Sequence, residues 1–306
     1  MILEYFKNIK FSNYYKKLNF LSLIFIILSL FMIFVKGLNL GVDFKGGTLI
    51  EVRVENSEIS ISDVRQSLTK MNLGDVNVKK FNKENDYLVK IEISKTNDSE
   101  FIKKINSEMS SDLGSVINFR RVENVGPKVS GELLKAGLLA ITLSLAAMLF
   151  YIWIRFEWQF SVAAIAAIIH DVIITVGIFS LFSYEVNLSI VAAVLTIVGY
   201  SMNDTVVIFD RIRENLKKYS KIPISDISNT STSETLSRTL ITSVTTLLAL
   251  ISIYIFGGAI LKGFSFAMIV GVIIGTYSSI FVATPILNYT NVNSKTVLKE
   301  DNKDSI

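Results

Sequence analysis

The sequence predicts an α-helical membrane protein with six transmembrane helices and one ferredoxin-like α+β domain. The first observation is composition: mean hydropathy is +0.47 and 50% of the 306 residues are hydrophobic, which is high for a soluble domain. The second is a set of six apolar segments, each close to the about 20 residues that a helix needs to cross a bilayer. The third is a more polar stretch between the first two segments, where strand and helix periodicities alternate.

Charge and cysteine content exclude several classes of protein. The net charge is +4 and the pI is about 9.0, but the Lys and Arg residues adjoin apolar segments, which is typical of membrane orientation. We therefore expect no nucleic-acid partner. The chain has no cysteine and one histidine, which excludes disulfides, thiol catalysis and Cys-rich or His-rich metal sites. No metal and no cofactor is expected.

The predicted spans follow the apolar segments. They lie near residues 18–35, 133–154, 160–182, 188–209, 239–257 and 263–287. The first is too long for a signal-peptide core and is followed by Lys36-Gly37-Leu38-Asn39 instead of a small-residue cleavage site. We expect it to remain as an uncleaved anchor, with the N-terminus in the mature protein.

Basic residues predict the orientation of the chain. They form three groups, before the first span, between the fourth and fifth spans and after the sixth: Lys7, Lys10, Lys16 and Lys17; Arg211, Arg213, Lys217, Lys218, Lys221 and Arg238; Lys295, Lys299 and Lys303. The short opposite connections hold only Glu185 and Lys262. The positive-inside rule then places the tails 1–17 and 288–306 on the cytoplasmic side of the membrane. For RIRENLKKYSK we expect a topology determinant, with contact to anionic lipid as the alternative.

The segment 37–132 is then the one large exported region, and it reads as a folded domain. The strand GGTLIEVRVE, the helix ISDVRQSLTKMNL with Ser62 as its N-cap, and the strands DVNVKKFN and DYLVKIEIS come first. A turn is expected at Lys83-Glu84-Asn85 between those two strands. The helix SEFIKKINSEMSSDL and the strand SVINFRRVENV complete a βαββαβ order. The domain shows no nucleophile and base pair, so we predict docking and no enzymatic activity.

Asp204 stands inside the fourth apolar segment, where a carboxylate costs a few kcal/mol or more. It lies about 24 Å from Leu188 at 1.5 Å per residue, in the inner half of the bilayer. One interpretation is that Asp204 begins the polar end of the helix, since Asp210 follows it at the cytoplasmic boundary. The other is a proton carrier, because aspartate is too short to reach water and small or polar neighbours let water or a helix approach.

Three more charged or titratable residues fall within or beside the spans. By pattern alone Arg238 is an interfacial anchor at the start of the fifth span. His170 and Asp171 lie near the middle of the third span and form a rival site. A helix-to-helix hydrogen bond would explain His170, but an ionisable Asp171 at the midplane requires a partner or water.

The last span carries a ridge of small residues. Every fourth residue is small: Gly263, Ala267, Gly271, Gly275, Ser279 and Ala283. Such ridges allow helices to approach closely in lipid. The ridge predicts either packing within the six-helix bundle or a seam with a partner subunit.

Several blocks of sequence, in this order, resemble one known family. They are GVDFKGGTLIEV at 41–52, VGPKVSGELLKAG at 125–137, HDV at 170–172, VGYSMNDTVVIFDRIREN at 198–215, SRTLITSVTTLLAL at 237–250 and FGGAILKGFSFAMIVGVIIGTYSSIFVATPIL at 256–287. Together they are similar to the SecF subunit family of the bacterial protein-export translocase. The resemblance implies a six-helix domain with the fold of the resistance–nodulation–division transporters, with one periplasmic domain after the first helix.

The resemblance also implies a function. In that family SecF pairs with SecD and assists SecYEG, using the proton-motive force to draw exported preproteins across the membrane. YajC, YidC and membrane lipids are further partners that it implies. It maps the proton-pathway aspartate onto Asp204 and makes Arg238 its intramembrane partner, which leaves His170 and Asp171 as second candidates.

Two other functions stay open from the sequence. One is a stand-alone proton-coupled exporter of lipids or small molecules, although exporters of that superfamily usually carry two six-helix halves and this chain has one. The other is a structural scaffold, which gives no reason for charged residues within the bilayer.

Overall fold

The computed structural model describes residues 9–74, 76–81, 83–91, 99–290 and 292–301. Lys7, Lys303 and the end of the strand predicted as DYLVKIEIS lie outside the described residues. The chain forms two compact units. One contains the chain up to Asn39, Ala140–Tyr184 and everything from Ser189 onward, and the other contains Leu40–Leu139 with Glu185–Leu188.

The first long helix, α1, spans Tyr15–Lys36 and follows a 3-10 turn at Phe11–Tyr14. It ends at Gly37, whose φ of +70° favours glycine and whose N–H donates to the Ile33 carbonyl. Most of its apolar side chains are exposed, as expected of a helix that faces lipid.

The elements of the α+β unit follow α1. They are β1 (Asn39–Leu40), α2 (Val42–Lys45), β2 (Gly47–Val54), α3 (Ile61–Lys70), β3 (Val76–Phe81), β4 (Lys83–Ile91), α4 (Ser99–Leu113) and β5 (Ile117–Val125). From β2 onward the order is βαββαβ, and the sheet order β3-β4-β2-β5 is antiparallel throughout. This is the ferredoxin-like arrangement, so the predicted fold class of this unit is confirmed.

The core of this unit follows from the alternation in β2. Ile50, Val52 and Val54 are fully buried on one face of the sheet, and they pack against Leu68 of α3 and Met109 of α4. The polar residues between them lie on the other face, as the period of a strand requires.

Two local predictions in this unit were wrong. The N-cap of α3 is Ser60, not Ser62, because Ser60 has the extended backbone that a cap needs and forms a capping box with Asp63. The two hydrogen bonds from Ser60 to the carboxylate hold the pKa of Asp63 below its usual value. The turn expected at Lys83-Glu84-Asn85 is not found there, because these three residues belong to β4 and Lys83 already pairs with Phe81 of β3.

The rest of the described chain contains helices, the turns that connect them and one short strand. Its elements are α5 (Pro127–Arg155), α6 (Trp158–Phe182), β6 (Glu185–Val186), α7 (Leu188–Lys218), α8 (Ile224–Phe256), α9 (Gly258–Ser278), a π-helical turn (Ser279–Ala283), α10 (Thr284–Tyr289) and α11 (Ser294–Asp301). In the described part of the chain six helices are long and apolar enough to cross a membrane, which confirms the predicted number.

Helix α8 is much longer than the predicted fifth span. It begins at Ile224 rather than near residue 239, so Arg238 lies inside the helix instead of at its start. Likewise α7 continues to Lys218, well past residue 209. Hydropathy identifies only the apolar part of a helix. Polar turns that pack on neighbouring helices can lengthen the helix beyond that part, and in α8 Ser228, Ser231 and Thr232 are fully buried.

The six long helices differ in how much they bury. Half or more of the apolar stretch is buried in α6, α7 and the last span, compared with 11–17% in α1, α5 and α8. The interior of the bundle therefore lies between the third, fourth and sixth spans. Phe156, Phe160 and Phe209 fill one end of it, with ring centroids 5.1–6.2 Å apart.

Candidate functional site

The candidate site begins with a very close contact between α7 and α9. A side-chain carbon added to Gly271 would overlap Ile197, and one added to Gly275 would lie 2.9 Å from Cβ of Ser201. At Gly263 the same carbon would make an ordinary contact, 3.4 Å from Ile190. The ridge of small residues thus faces α7 of the same chain, and its Ala267, Ser279 and Ala283 are fully buried.

This close contact brings two hydroxyl groups to Asp171. Oγ of Ser201 on α7 donates to Oδ2 of Asp171 at 2.5 Å, and Oγ of Ser278 on α9 donates to the same oxygen at 2.8 Å. Nδ1 of His170 lies 2.8 Å from Oδ1. The Asp171 side chain is 1% exposed, so three helices enclose one carboxyl group.

The partners of Asp171 restrict its charge. A buried carboxylate is stable only when its charge is balanced and its oxygens are hydrogen-bonded. Among the described residues its ion-pair partner is His170, whose Nε2 is buried without a hydrogen-bond partner. Neutrality requires either a protonated Asp171 beside neutral imidazole or an aspartate beside imidazolium.

Asp204 is also buried, with 3% of the residue exposed, but its surroundings differ. It lies on α7 one turn beyond Ser201, and its Oδ2 has no hydrogen-bond partner among the described residues. Arg238 on α8 acts on this carboxylate through its electric field, yet its own side chain is exposed. The two residues form no ion pair within 4.0 Å in the described part of the chain, so the structure brings them near each other without direct contact.

Further hydroxyl groups lie beside the residues of the site in sequence, although none of them bonds Asp204 among the described residues. Oγ of Ser279 lies 2.8 Å from Oγ1 of Thr205, the residue after Asp204, and Ser278 next to it bonds Asp171. Ser279 begins the π-helical turn, and π-helical turns are frequent at functional sites. The sequence analysis named Ser279 only as a small residue of the ridge and missed Ser278 and Thr205; the adjacent serines in a mostly apolar span were the available signal.

Tyr277 is a second side chain that the sequence analysis missed. Its ring stacks on His170 with a centroid distance of 6.1 Å. Its hydroxyl lies 2.9 Å from Oγ of Ser22 and donates to the Leu18 carbonyl at 2.8 Å. Tyr277 therefore ties α1 to the imidazole of the site.

The basic segment RIRENLKKYSK is largely ion-paired. Arg211 bonds Glu234 of α8 at 2.6 Å, and Nε of Arg213 lies 3.4 Å from the buried Glu157. Asn215 donates to Ser231 at 2.9 Å and thereby joins the polar ends of α7 and α8. Its exposed charged residues are Glu214, Lys217, Lys218 and Lys221.

Fold and site together define a class: a polytopic α-helical membrane protein that buries Asp171 where its third, fourth and sixth spans meet and buries Asp204 on the fourth span. Comparison with known families agrees. The family described as protein export membrane protein SecD/SecF, C-terminal, matches residues 105–293, and the SecD/SecF GG motif matches residues 31–58. The chain belongs to the SecF branch of the SecD/SecF family, which confirms the resemblance seen in the sequence.

Individual relatives are similar over most of their length. The protein translocase subunit SecF of Cereibacter sphaeroides is 44% identical over 84% of this chain and 82% of its own. That of Desulfurispirillum indicum is 43% identical over 88% of this chain and 87% of its own.

A solved structure shares the fold. The crystal structure of SecDF from Thermus thermophilus, described as a translocon-associated membrane protein, matches 92% of this chain with a TM-score of 0.83 and 34% identity. A second SecDF structure, in a super-membrane-facing form, matches with a TM-score of 0.66 and 32% identity. The chain spans 38–39% of the length of those SecDF chains.

Proposed function

We propose that this chain, an accessory subunit of Sec protein export, works with a SecD-like partner and uses the proton-motive force to assist the movement of exported polypeptides through SecYEG. The observation that carries the proposal is the burial of two carboxyl groups, those of Asp171 and Asp204, on helices that are long and apolar enough to cross a membrane. Ionisable residues at such depth are rare and usually serve ion or proton pathways.

The proposed proton site is Asp204. Its Oδ2 is buried and unbonded, so the carboxyl group has no fixed partner to keep it in one protonation state. Arg238 attracts it when it is ionised, and protonation cancels that attraction. Arg238 keeps its own proton throughout, because a guanidinium does not lose it in proteins.

Proton binding can then do mechanical work. Protonation of Asp204 weakens the attraction between α7 and α8 near Arg238, while the bonds of Asn215 and Arg211 keep the polar ends of the two helices together. One elementary charge crossing the membrane releases about 2.3 kcal/mol per 100 mV, which biases a two-state equilibrium when access to the site alternates. His170 and Asp171 are the second candidates, and their hydrogen bonds favour a role in holding the three spans together.

The proposal includes an orientation and a set of partners. The protein lies in the inner membrane, with the α+β unit on the periplasmic side and both termini on the cytoplasmic side. The distribution of Lys and Arg supports this orientation. SecD-like, SecYEG, YajC and YidC proteins, exported preproteins and membrane lipids are the proposed partners. The similarity to SecDF supports the SecD-like partner. This chain matches only 38% of the longer SecDF chain, which leaves the rest of that chain for a SecD-like part.

The test measures preprotein export into membrane vesicles with and without a proton gradient. Asp204→Asn keeps shape and hydrogen bonding but cannot titrate, so it should abolish the gradient-dependent stimulation while the complex still assembles. Asp210→Asn is the matched control on the same helix, because Asp210 is exposed and pairs with Arg155 at the helix end. Full stimulation in Asp204→Asn together with loss in Asp171→Asn would move the proton site to the third span.

A further inference from the structure

A groove in the membrane-spanning unit adjoins the site described above and shares His170 and Tyr277 with it. Its volume is about 450 Å³, and α1, α6 and α9 line it. We call it the α1 groove, and its residues include Phe25, Leu28, His170, Leu181, Ile273 and Tyr277. None of the lining residues carries a fixed charge, and the polar atoms of its side chains belong to Ser29, His170 and Tyr277.

The groove opens sideways toward the surroundings of the spans. Phe25 is 45% exposed, Leu28 is 43% exposed and Ile273 is 53% exposed, although all three line the groove. Its floor is closed where α6 meets α1, because a side-chain carbon on Gly177 would overlap Ser29. These residues belong to spans 1, 3 and 6, so the opening of the groove faces the acyl chains of the lipid bilayer.

We infer that the α1 groove binds one acyl chain of a membrane phospholipid. A hydrocarbon chain has no polar group to satisfy, whereas an extended peptide in this groove would leave backbone N–H and C=O groups without partners.

The length of the groove also fits a phospholipid tail. His170 and Leu181 lie on the same helix and line the groove at positions 11 residues apart, which corresponds to about 16 Å at 1.5 Å per residue. Half of a hydrocarbon core of about 30 Å is about 15 Å, the depth that the tails of one leaflet reach. A tail that enters near Leu181 therefore ends close to the imidazole of His170.

Packing, not the hydrophobic effect, holds the chain there. Lipid tails are as apolar as the groove, so transfer from the bilayer gains little hydrophobic energy. An empty groove loses van der Waals contacts along its walls, and a tail restores them. The bound tail also lies beside His170 and Tyr277, which line the groove. This inference does not depend on the proposed proton pathway.

The experiment counts retained phospholipids by native mass spectrometry. The full chain, in complex with its SecD-like partner, is extracted from vesicles of phosphatidylethanolamine and phosphatidylglycerol. Leu28→Trp fills the groove and Ile273→Trp fills it from the opposite wall. Ile27→Trp is the matched control, because Ile27 is 58% exposed on the same helix and does not line the groove.

The expected result is one phospholipid more on the wild type and on Ile27→Trp than on either groove-filling variant. Two filling variants on different helices keep the test decisive if one of them fails to assemble. Equal phospholipid counts in all complexes would overturn the inference. A retained species with the mass of a detergent or a free fatty acid would overturn it as well.

Discussion

Oγ of Ser201 donates a 2.5 Å hydrogen bond to Oδ2 of Asp171, and this bond joins the fourth span to the third. The sixth span reaches the same oxygen because Gly275 lies directly against Ser201, where a side-chain carbon would be only 2.9 Å away. Short hydrogen bonds to an ionised or partly ionised group are stronger than neutral ones. The carboxyl group of Asp171 is therefore the point at which three spans are held together.

Ser201→Ala should destabilise the bundle. The substitution removes one of two hydroxyl donors to a buried carboxyl oxygen, which costs about 1.5–3 kcal/mol when the group is charged. Thermal unfolding of the purified protein in mild detergent measures the loss. Thr196→Ala on the same helix is the control, because its hydroxyl bonds only the Ala192 carbonyl of its own helix. Equal changes in Tm for both variants would contradict a special role of the Ser201 bond.

Gly271→Ala should disturb the contact between α7 and α9. The new carbon overlaps Ile197, and overpacking of this kind costs about 1–3 kcal/mol. Gly263→Ala is the matched control on the same ridge, because its carbon makes an ordinary 3.4 Å contact with Ile190. The measurement is the fraction of monodisperse protein in size-exclusion chromatography together with Tm. If the two variants behave alike, the contact is looser than the structure indicates.

Arg238→Met should remove the gradient-dependent stimulation of export as Asp204→Asn does. The double variant should be no worse than either single one, because the guanidinium acts on a charge that asparagine cannot carry. Export into vesicles with and without a proton gradient gives the four values of this cycle. Arg238→Lys keeps the positive charge and should retain most of the stimulation. If Arg238→Lys is as defective as Arg238→Met, the stimulation of export depends on the geometry of the guanidinium group and not on the positive charge alone.

Single cysteines in this cysteine-free chain should report its orientation. Ser107→Cys in α4 and Ser220→Cys after α7 are matched substitutions at exposed serines. An impermeant maleimide should label the first in intact cells and the second only after the membrane is opened. Ser228 is unsuitable as a labelling site because it is fully buried. Equal labelling of both positions in intact cells would exclude the proposed topology.

Local pattern was sufficient for the architecture. The first span was predicted at residues 18–35 and is helical over Tyr15–Lys36, and the alternation in β2 placed Ile50 and Val52 in the core of the α+β unit. These features depend on periodicity and hydropathy within a few turns of chain, which the sequence displays directly. The start of α8 at Ile224 did not follow from hydropathy, because polar residues extend that helix by packing on other parts of the bundle.

The sequence by itself determined the number of spans, the order of the α+β unit and the presence of carboxyl groups within apolar helices. Only the tertiary structure decided which of those carboxyl groups is surrounded by hydrogen-bond donors from other helices. Asp171 is bonded by Ser201 and Ser278, which are 30 and 107 positions away, whereas Asp204 keeps a buried oxygen without a partner. Hydrogen bonds act over about 3 Å in space, and helix packing sets which distant residues come that close.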